Sequence, residues 1–366
     1  RILILFFVLG SVCHAELRTW TSIVGTKVEA ELVSLTGNQV TLKTKAGKTI
    51  KLPLNKLSKA DQEFLTAKSS PKEPTKEETP VNPNLKYEVK DSVVTITGCD
   101  KKASGTITIP TTIEGNPVTS IGDSAFARCR SLTSITIPDS VTSIENDAFY
   151  LCKSLTNVTI PDGVTSIGNN AFRYCTSLTS ITIGNGVTSI GEKAFNLCSS
   201  LTSITIPDGV TSIGDLAFRN CSSLTSITIP EGVISIENET FTSCKSLTSI
   251  TIPDGVTSIG DLAFAYCTSL TSITIPEGVT SIGSSAFGES NSLTSITIPE
   301  SVTSIGNAAF QNCTRLTSVT FLGDAPKNDE RLTFSKTPAT IYRKPEAKGW
   351  GDTFGGRPVK LISEKP

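Results

Sequence analysis

The sequence predicts a β-rich solenoid of 23-residue coils, preceded by a small β-domain. Three observations carry this. Phe recurs at 126, 149, 172, 195, 218, 241, 264, 287 and 310, and Leu keeps the same beat from Leu132 to Leu316. Self-similarity at a fixed period of about 20–50 residues marks a stack in which one repeat buries its apolar face only against its neighbours. Within a copy such as Ser131 to Lys153, Ile135 and Ile137 alternate with Ser134 and Thr136, the period of two of a strand with one buried face.

In chain order, residues 1–15 read as a secretory signal peptide: Arg1, the apolar run Ile2 to Leu9 and a small-residue site ending at Ala15. The run is too short for a stable anchor, so the mature chain from Glu16 is expected to be exported without a membrane span, to the outside, the cell surface or the periplasm. Cys13 is a weak lipoprotein signal after Gly10-Ser11-Val12, and with no Met in the sequence the true start is expected just upstream.

Residues 16–68 lack the repeat. Lys27 to Leu35, Gln39 to Lys45 and Thr49 to Leu54 read as strands joined at Gly37-Asn38 and Ala46-Gly47, tight-turn pairs of the kind that close hairpins. Ser58 with Asp61 three residues on reads as a helix start. Arg18-Thr19-Trp20, Gly25, Ala30, Val40, Leu42, Gly47, Leu57-Ser58, Asp61 and Phe64 resemble the Sla-one homology domain, a small SH3-like barrel first described in an endocytic actin-patch adaptor. The resemblance implies adaptor-type protein binding, with cytoskeletal partners in the family; the eukaryotic peptide ligand does not carry over automatically to an exported protein.

Residues 69–84 are Pro, Lys and Glu with almost nothing apolar, the composition of an extended linker. Residues 85–117 begin the solenoid atypically and read as its N-terminal cap. Through 118–322 each coil has two extended runs, of the Leu132-to-Ile137 and Val141-to-Ile144 kind, separated by Pro138 and a two-residue turn; Ala148-Phe149-x-x-Cys152 is too short for more than one helical or 3-10 turn. The pattern LxxIxIPxxVxxIgxxAFxxC over Val118 to Phe321 resembles the leucine-rich repeats of the BspA-like family, surface proteins of bacteria and protists. Residues 323–366, with GDAP and TPATIYRKPEAKGWGDTFGGRP, read as the C-terminal cap.

Charge follows these boundaries. Residues 16–68 carry 9 Lys and Arg against 5 Asp and Glu, and 118–322 carry 8 against 16, so the array lacks the basic stripe that nucleic acid requires. The one His, His14, lies in the presumed leader, which leaves the mature chain without a Ser-His-Asp, Cys-His or histidine-metal site. A purely carboxylate enzyme stays open in principle, but the expectation is a non-enzyme with no cofactor. Asp139, Asp162, Asp208, Glu231, Asp254, Glu277 and Glu300 share one turn position, either a solvated turn or a weak Ca²⁺ ladder. Cys129, Cys152, Cys175, Cys198, Cys221, Cys244, Cys267 and Cys313 form another column, with Ser290 at the missing rung and no CxxC spacing. Export permits disulfides, yet equivalent side chains on parallel coils point the same way, which favours buried free thiols.

The leading function is a non-catalytic, monomeric exported protein that binds a protein or glycan. The alternative is a structural or environmental surface protein whose Ser/Thr lattice binds a repetitive ligand such as ice or polysaccharide. Binding positions follow from variability between coils. The two residues after each Phe differ most, and Tyr150, Arg173, Tyr174, Arg219 and Tyr266 are types enriched in binding hot spots. The competing surface is the strand face, with Thr182, Thr205 and Thr228, as exposed faces of leucine-rich strands commonly are.

Overall fold

The computed structural model describes residues 17–36, 38–69, 81–327 and 332–365. The segment 1–15 read as a leader, with His14, as well as Gly37 and most of the segment 69–84 read as a linker, lie outside the described residues. The chain divides into two compact units, Arg1–Glu77 and Glu78–Pro366.

In the first unit, β1 (Arg18–Thr21), β2 (Lys27–Thr36), β3 (Gln39–Thr44) and β4 (Thr49–Pro53) form an antiparallel meander in that order, followed by a 3-10 turn at Leu54–Lys56 and α1 (Lys59–Ser69). The short strand β1 is absent from the alternation reading. Trp20 pins it: the indole donates to Ala30 O at 2.9 Å and packs with Val40, Leu42, Leu57 and Leu65. Asp61 ties β1 to α1. Its carboxylate accepts from Arg18 Nη2 (2.9 Å), the Thr21 amide (2.8 Å) and the Ser58 hydroxyl (2.9 Å), while the Arg18 guanidinium lies 3.6 Å from the Phe64 ring centre. Burial works to raise the Asp61 pKa, but the Thr21 amide, Ser58 and Arg18 together hold it below the ordinary carboxylate range. A depressed folded pKa contributes stability that is complete above the unfolded value of about 3.9 and lost as pH falls through the folded one. Asp61→Asn is therefore expected to destabilise this unit by on the order of 2 kcal/mol at neutral pH. The difference should shrink below the unfolded value, as read by Trp20 fluorescence in a Trp350→Phe background.

The second unit opens with a hairpin of β5 (Leu85–Lys90) and β6 (Val93–Cys99), whose turn residues Asp91 and Ser92 both have positive φ. β6 pairs in parallel with β9 (Asn116–Ile121), which also pairs with β8 (Thr112–Ile113); β7 (Ser104–Thr108) pairs in parallel with β10 (Ser131–Thr136). Two parallel sheets start from these pairs and run along the stack at a fixed 23-residue register. Ser203, Ile204 and Thr205 face Ser226, Ile227 and Thr228 in one; Ser189 and Ile190 face Ser212 and Ile213 in the other.

The third side of each coil differs from a helical or 3-10 turn. Left-handed residues flank each Phe, such as Asp147 (φ 55) and Leu151 (φ 61) around Phe149. These reversals turn the Asp147, Phe149 and Leu151 amides along the stack, where they donate to Asn169 O, Ala171 O and Arg173 O of the next coil at 2.7–2.9 Å. The inter-coil bonds offset the local cost of a left-handed non-glycine residue, roughly 1 kcal/mol or more. Phe rings stack on this side with centroids 5.0 Å (Phe149 to Phe172) to 5.7 Å (Phe218 to Phe241) apart, wider than the strand spacing of about 4.8 Å. The column goes on into the cap, where Phe334 stacks on Phe310 at 5.2 Å.

The cysteine column explains itself here. From Cys152 onward each thiol donates to the Phe carbonyl of the coil before: Cys152 to Phe126 O at 3.0 Å, Cys221 to Phe195 O at 3.3 Å, Cys313 to Phe287 O at 3.0 Å. Ser290 does the same to Phe264 O, and Thr337 to Phe310 O. The position thus selects a small donor that adds a second bond, worth about 0.5–1.5 kcal/mol, to a carbonyl that already accepts an amide of its own turn, as Phe126 O does from Cys129 N at 3.0 Å. Burial pushes the thiols up, Cys267 and Cys313 to about 12, so they stay protonated and able to donate. The nine described cysteines are buried and free.

Both sheets are interrupted. The Ser-Ile sheet divides between Ile213 and Ser235, where Ile234, 64 % exposed, replaces the Thr whose hydroxyl elsewhere donates to the coil before, as Thr211 does to Thr188 O. The Ser-Ile-Thr sheet ends at Ser226–Thr228, with one bridge to Thr251, and resumes at Ser295–Ile298. Beyond Phe321 the strands Thr340–Arg343 and Arg357–Leu361 extend it, and Trp350 and Phe354 close the core end against Phe321 at 4.9 and 5.5 Å.

Candidate binding surfaces

The residues after each Phe lie at the outer edge of the turn column, where Tyr174 and Tyr266 are themselves left-handed. Three members of the Tyr and Arg set come together. The Tyr150 and Tyr174 rings meet edge to face at 5.9 Å; the Arg173 guanidinium lies 5.1 Å from the Tyr174 ring centre and 6.0 Å from that of Tyr150, and it donates to Asn170 Oδ1 at 3.3 Å. The other two stand apart. Arg219 is paired with Glu239 at 3.1 Å, and Tyr266 is 47 % exposed; each is separated from the next member by an intervening coil, Phe195 or Phe241. The set is one preordered cluster of three plus two single residues, each already engaged or isolated.

The strand face is arranged differently. Thr182, Thr205 and Thr228 are exposed and in direct register across adjacent coils, and Thr136 and Thr159 belong to the same row. A second threonine row beside them spends its hydroxyls inside the stack: Thr202 donates to Thr179 O at 3.3 Å and Thr225 to Thr202 O at 3.2 Å. Among the described residues, nothing in the chain engages the hydroxyls of Thr182, Thr205 and Thr228. One row therefore stabilises the stack and the other faces solvent with free donors and acceptors. Where strand pairing lapses, the same face holds a hollow of ≈ 300 Å³ lined by Ser272, Thr274, Glu277, Ser295 and Thr297. Periodicity cannot reveal this hollow, since its residues match those of every other coil.

The turn carboxylates from Asp139 to Glu300 are exposed, and Asp162 accepts from the Asn185 amide at 2.8 Å. Among the described residues no group of three or more His, Cys, Asp or Glu is placed to hold a metal ion. A larger open groove of ≈ 1000 Å³ lies where the last coils meet the cap, with Glu300, Asp324 and Glu346 opposed by Lys327 and Lys344. No helix among the described residues is long and apolar enough to cross a membrane.

Residues 119–247 and 234–337 match the BspA type leucine rich repeat region, 6 copies, and residues 13–72 match the SLA1 homology domain 1. No curated protein matches the chain. Among solved structures it is similar to a leucine-rich repeat protein from Bacteroides ovatus, with 32% identity over 72% of this chain and 70% of that one and a TM-score of 0.66. It is also similar to the leucine rich repeat protein of T. pallidum (28% identity, 64% and 90% covered, TM-score 0.45) and to a leucine rich cell surface protein from Faecalibacterium prausnitzii (28% identity, 73% and 94% covered, TM-score 0.41).

Proposed function

Since the chain belongs to the BspA-type leucine-rich repeat family, we propose that it is an exported, monomeric, non-catalytic binding protein whose Ser-Ile-Thr strand face holds a repetitive polymer, a polysaccharide in the first instance. The observation that carries this reading is the row of unengaged hydroxyls of Thr182, Thr205 and Thr228, one per coil and in register. Identical positions cannot encode a unique epitope, but they match a ligand that repeats itself. Each contact is worth little, and several held at fixed pitch multiply through effective concentration. The leader reading of 1–15 supports export, and the N-terminal SLA1 homology domain supplies a second, adaptor-type module. The ice reading loses support because strand pairing lapses between Thr251 and Ser295, whereas a flexible polymer needs only a few consecutive coils.

The test is retention on insoluble peptidoglycan, mucin and β-glucan. The triple variant Thr182→Ala, Thr205→Ala, Thr228→Ala is expected to lose at least about tenfold in retention, the sum of a few tenths of a kcal/mol to 1 kcal/mol per hydroxyl. Tyr150→Ala with Tyr174→Ala should retain wild-type binding. The reverse pattern would move the site to the aromatic cluster, and no retention on any of the three polymers would end the polysaccharide reading.

A further inference from the structure

The N-terminal cap carries a cysteine outside the column. Cys99 ends β6, and its thiol reaches Asp100 O at 3.5 Å; Cys129, the first rung, reaches the same carbonyl at 3.7 Å. The first rung has no earlier Phe to serve, so it turns toward the cap instead. Column members occupy equivalent positions and point the same way, each toward a Phe carbonyl, which keeps Cys152 and Cys175 from facing each other. Cys99 is not one period before Cys129 and comes from a strand end rather than a turn, so that rule does not separate this pair. The two thiols thus converge on the Asp100 carbonyl, and each is the first influence on the other's ionisation: Cys99 is pushed above the ordinary thiol range and Cys129 held below it, with Lys101 also favouring the Cys129 thiolate.

We propose that Cys99 and Cys129 form a covalent cross-linking site at which a disulfide-class oxidant closes a bridge between the N-terminal cap and the first coil. The Cys129 thiolate attacks one sulfur of the oxidant and expels a thiolate. Cys99, losing its proton, then displaces the remaining oxidant sulfur from Cys129. An S–S bond forms within the chain, two protons and two electrons leave it, and the oxidant ends as two thiols. The place is effective because a terminal repeat has only one stacking neighbour and opens first. The bridge encloses β7, β8 and β9 together with Phe126. Cys99 and Cys129 are buried too, so their reaction follows opening of the cap, whereas the thiols from Cys152 onward lie under further coils and exchange slowly. This chemistry is independent of the export reading; only the persistence of the bridge in the cell depends on compartment.

The full chain is incubated with oxidised glutathione, denatured, alkylated and digested without reduction. The expected product is one cross-linked peptide pair, Cys99 to Cys129, with Cys152 to Cys313 recovered alkylated. Oxidation should raise the melting temperature by on the order of 5 °C. Cys99→Ser, which leaves the buried column intact, should lose both the cross-link and the shift while matching the reduced chain. Recovery of Cys99 and Cys129 alkylated or only glutathionylated overturns the proposal, as does a bridge between column members in their place. A cross-linked chain that melts no higher than Cys99→Ser overturns the stapling role.

Discussion

Phe218→Ala is expected to lower the stability of the solenoid by roughly 3–5 kcal/mol, the range for emptying a fully buried aromatic site. Phe218 is 0 % exposed and stacked between Phe195 at 5.4 Å and Phe241 at 5.7 Å. The cavity would open on two neighbours at once, and the inter-coil bonds of that turn, including Phe218 N to Thr240 O at 2.9 Å, hold the surrounding backbone too rigidly to close it. Thr205→Ala, on the exposed strand face, removes no packed group and should change melting by less than about 0.5 kcal/mol. Denaturant melts of the two variants decide the matter. Equal shifts would mean that the buried and exposed faces have been exchanged.

The contrast shows how the fold was written in the sequence. A column of identical residues at constant spacing is legible because stacking converts sequence period into spatial adjacency: the Phe, Leu and Ile positions that recur at 23 are the ones buried. What broke the period was harder to see. Phe334 extends the column but sits one residue off the beat after Phe310, so counting stops one rung early. The left-handed positions are filled by Asp, Leu, Tyr, Lys and Asn instead of Gly. Inter-coil hydrogen bonds, not local preference, impose that backbone, and a local reading returns a helical turn. The thiol column was legible as buried, but its chemistry was not. Only the shared acceptor explains why Ser290 and Thr337 substitute for Cys where Ala or Val does not appear. For the candidate site, residue types marked Tyr150, Arg173 and Tyr174, which do meet. They could not say that Glu239 already holds Arg219, or which of two threonine rows keeps its hydroxyls free.

Arg357→Ala should uncap the far end of the stack. Every Phe carbonyl from Phe126 to Phe310 receives a Cys, Ser or Thr donor from the following coil, but Phe334 has no following coil. Arg357 takes that place, its Nε and Nη2 donating to Phe334 O at 3.1 and 2.9 Å. Hydrogen bonds from a charged donor to a buried acceptor contribute about 1.5–3 kcal/mol, and removing Arg357 leaves Phe334 O with the Thr337 amide alone, at 3.1 Å. A loss of on the order of 2 kcal/mol is therefore expected, with partial rescue by Arg357→Lys, whose single ammonium can reach the acceptor without the two-point geometry. Location is the sharper part of the expectation. In a stack held by nearest-neighbour interfaces, damage at one end frays that end first. Hydrogen exchange should thus accelerate at Ile341 and Val359, paired strand residues of the cap, and stay slow at Phe149 and Phe218. Uniform acceleration along the whole array would show instead that the coils melt as one unit, and Phe218→Ala would then destabilise both ends equally rather than dividing the stack at its middle.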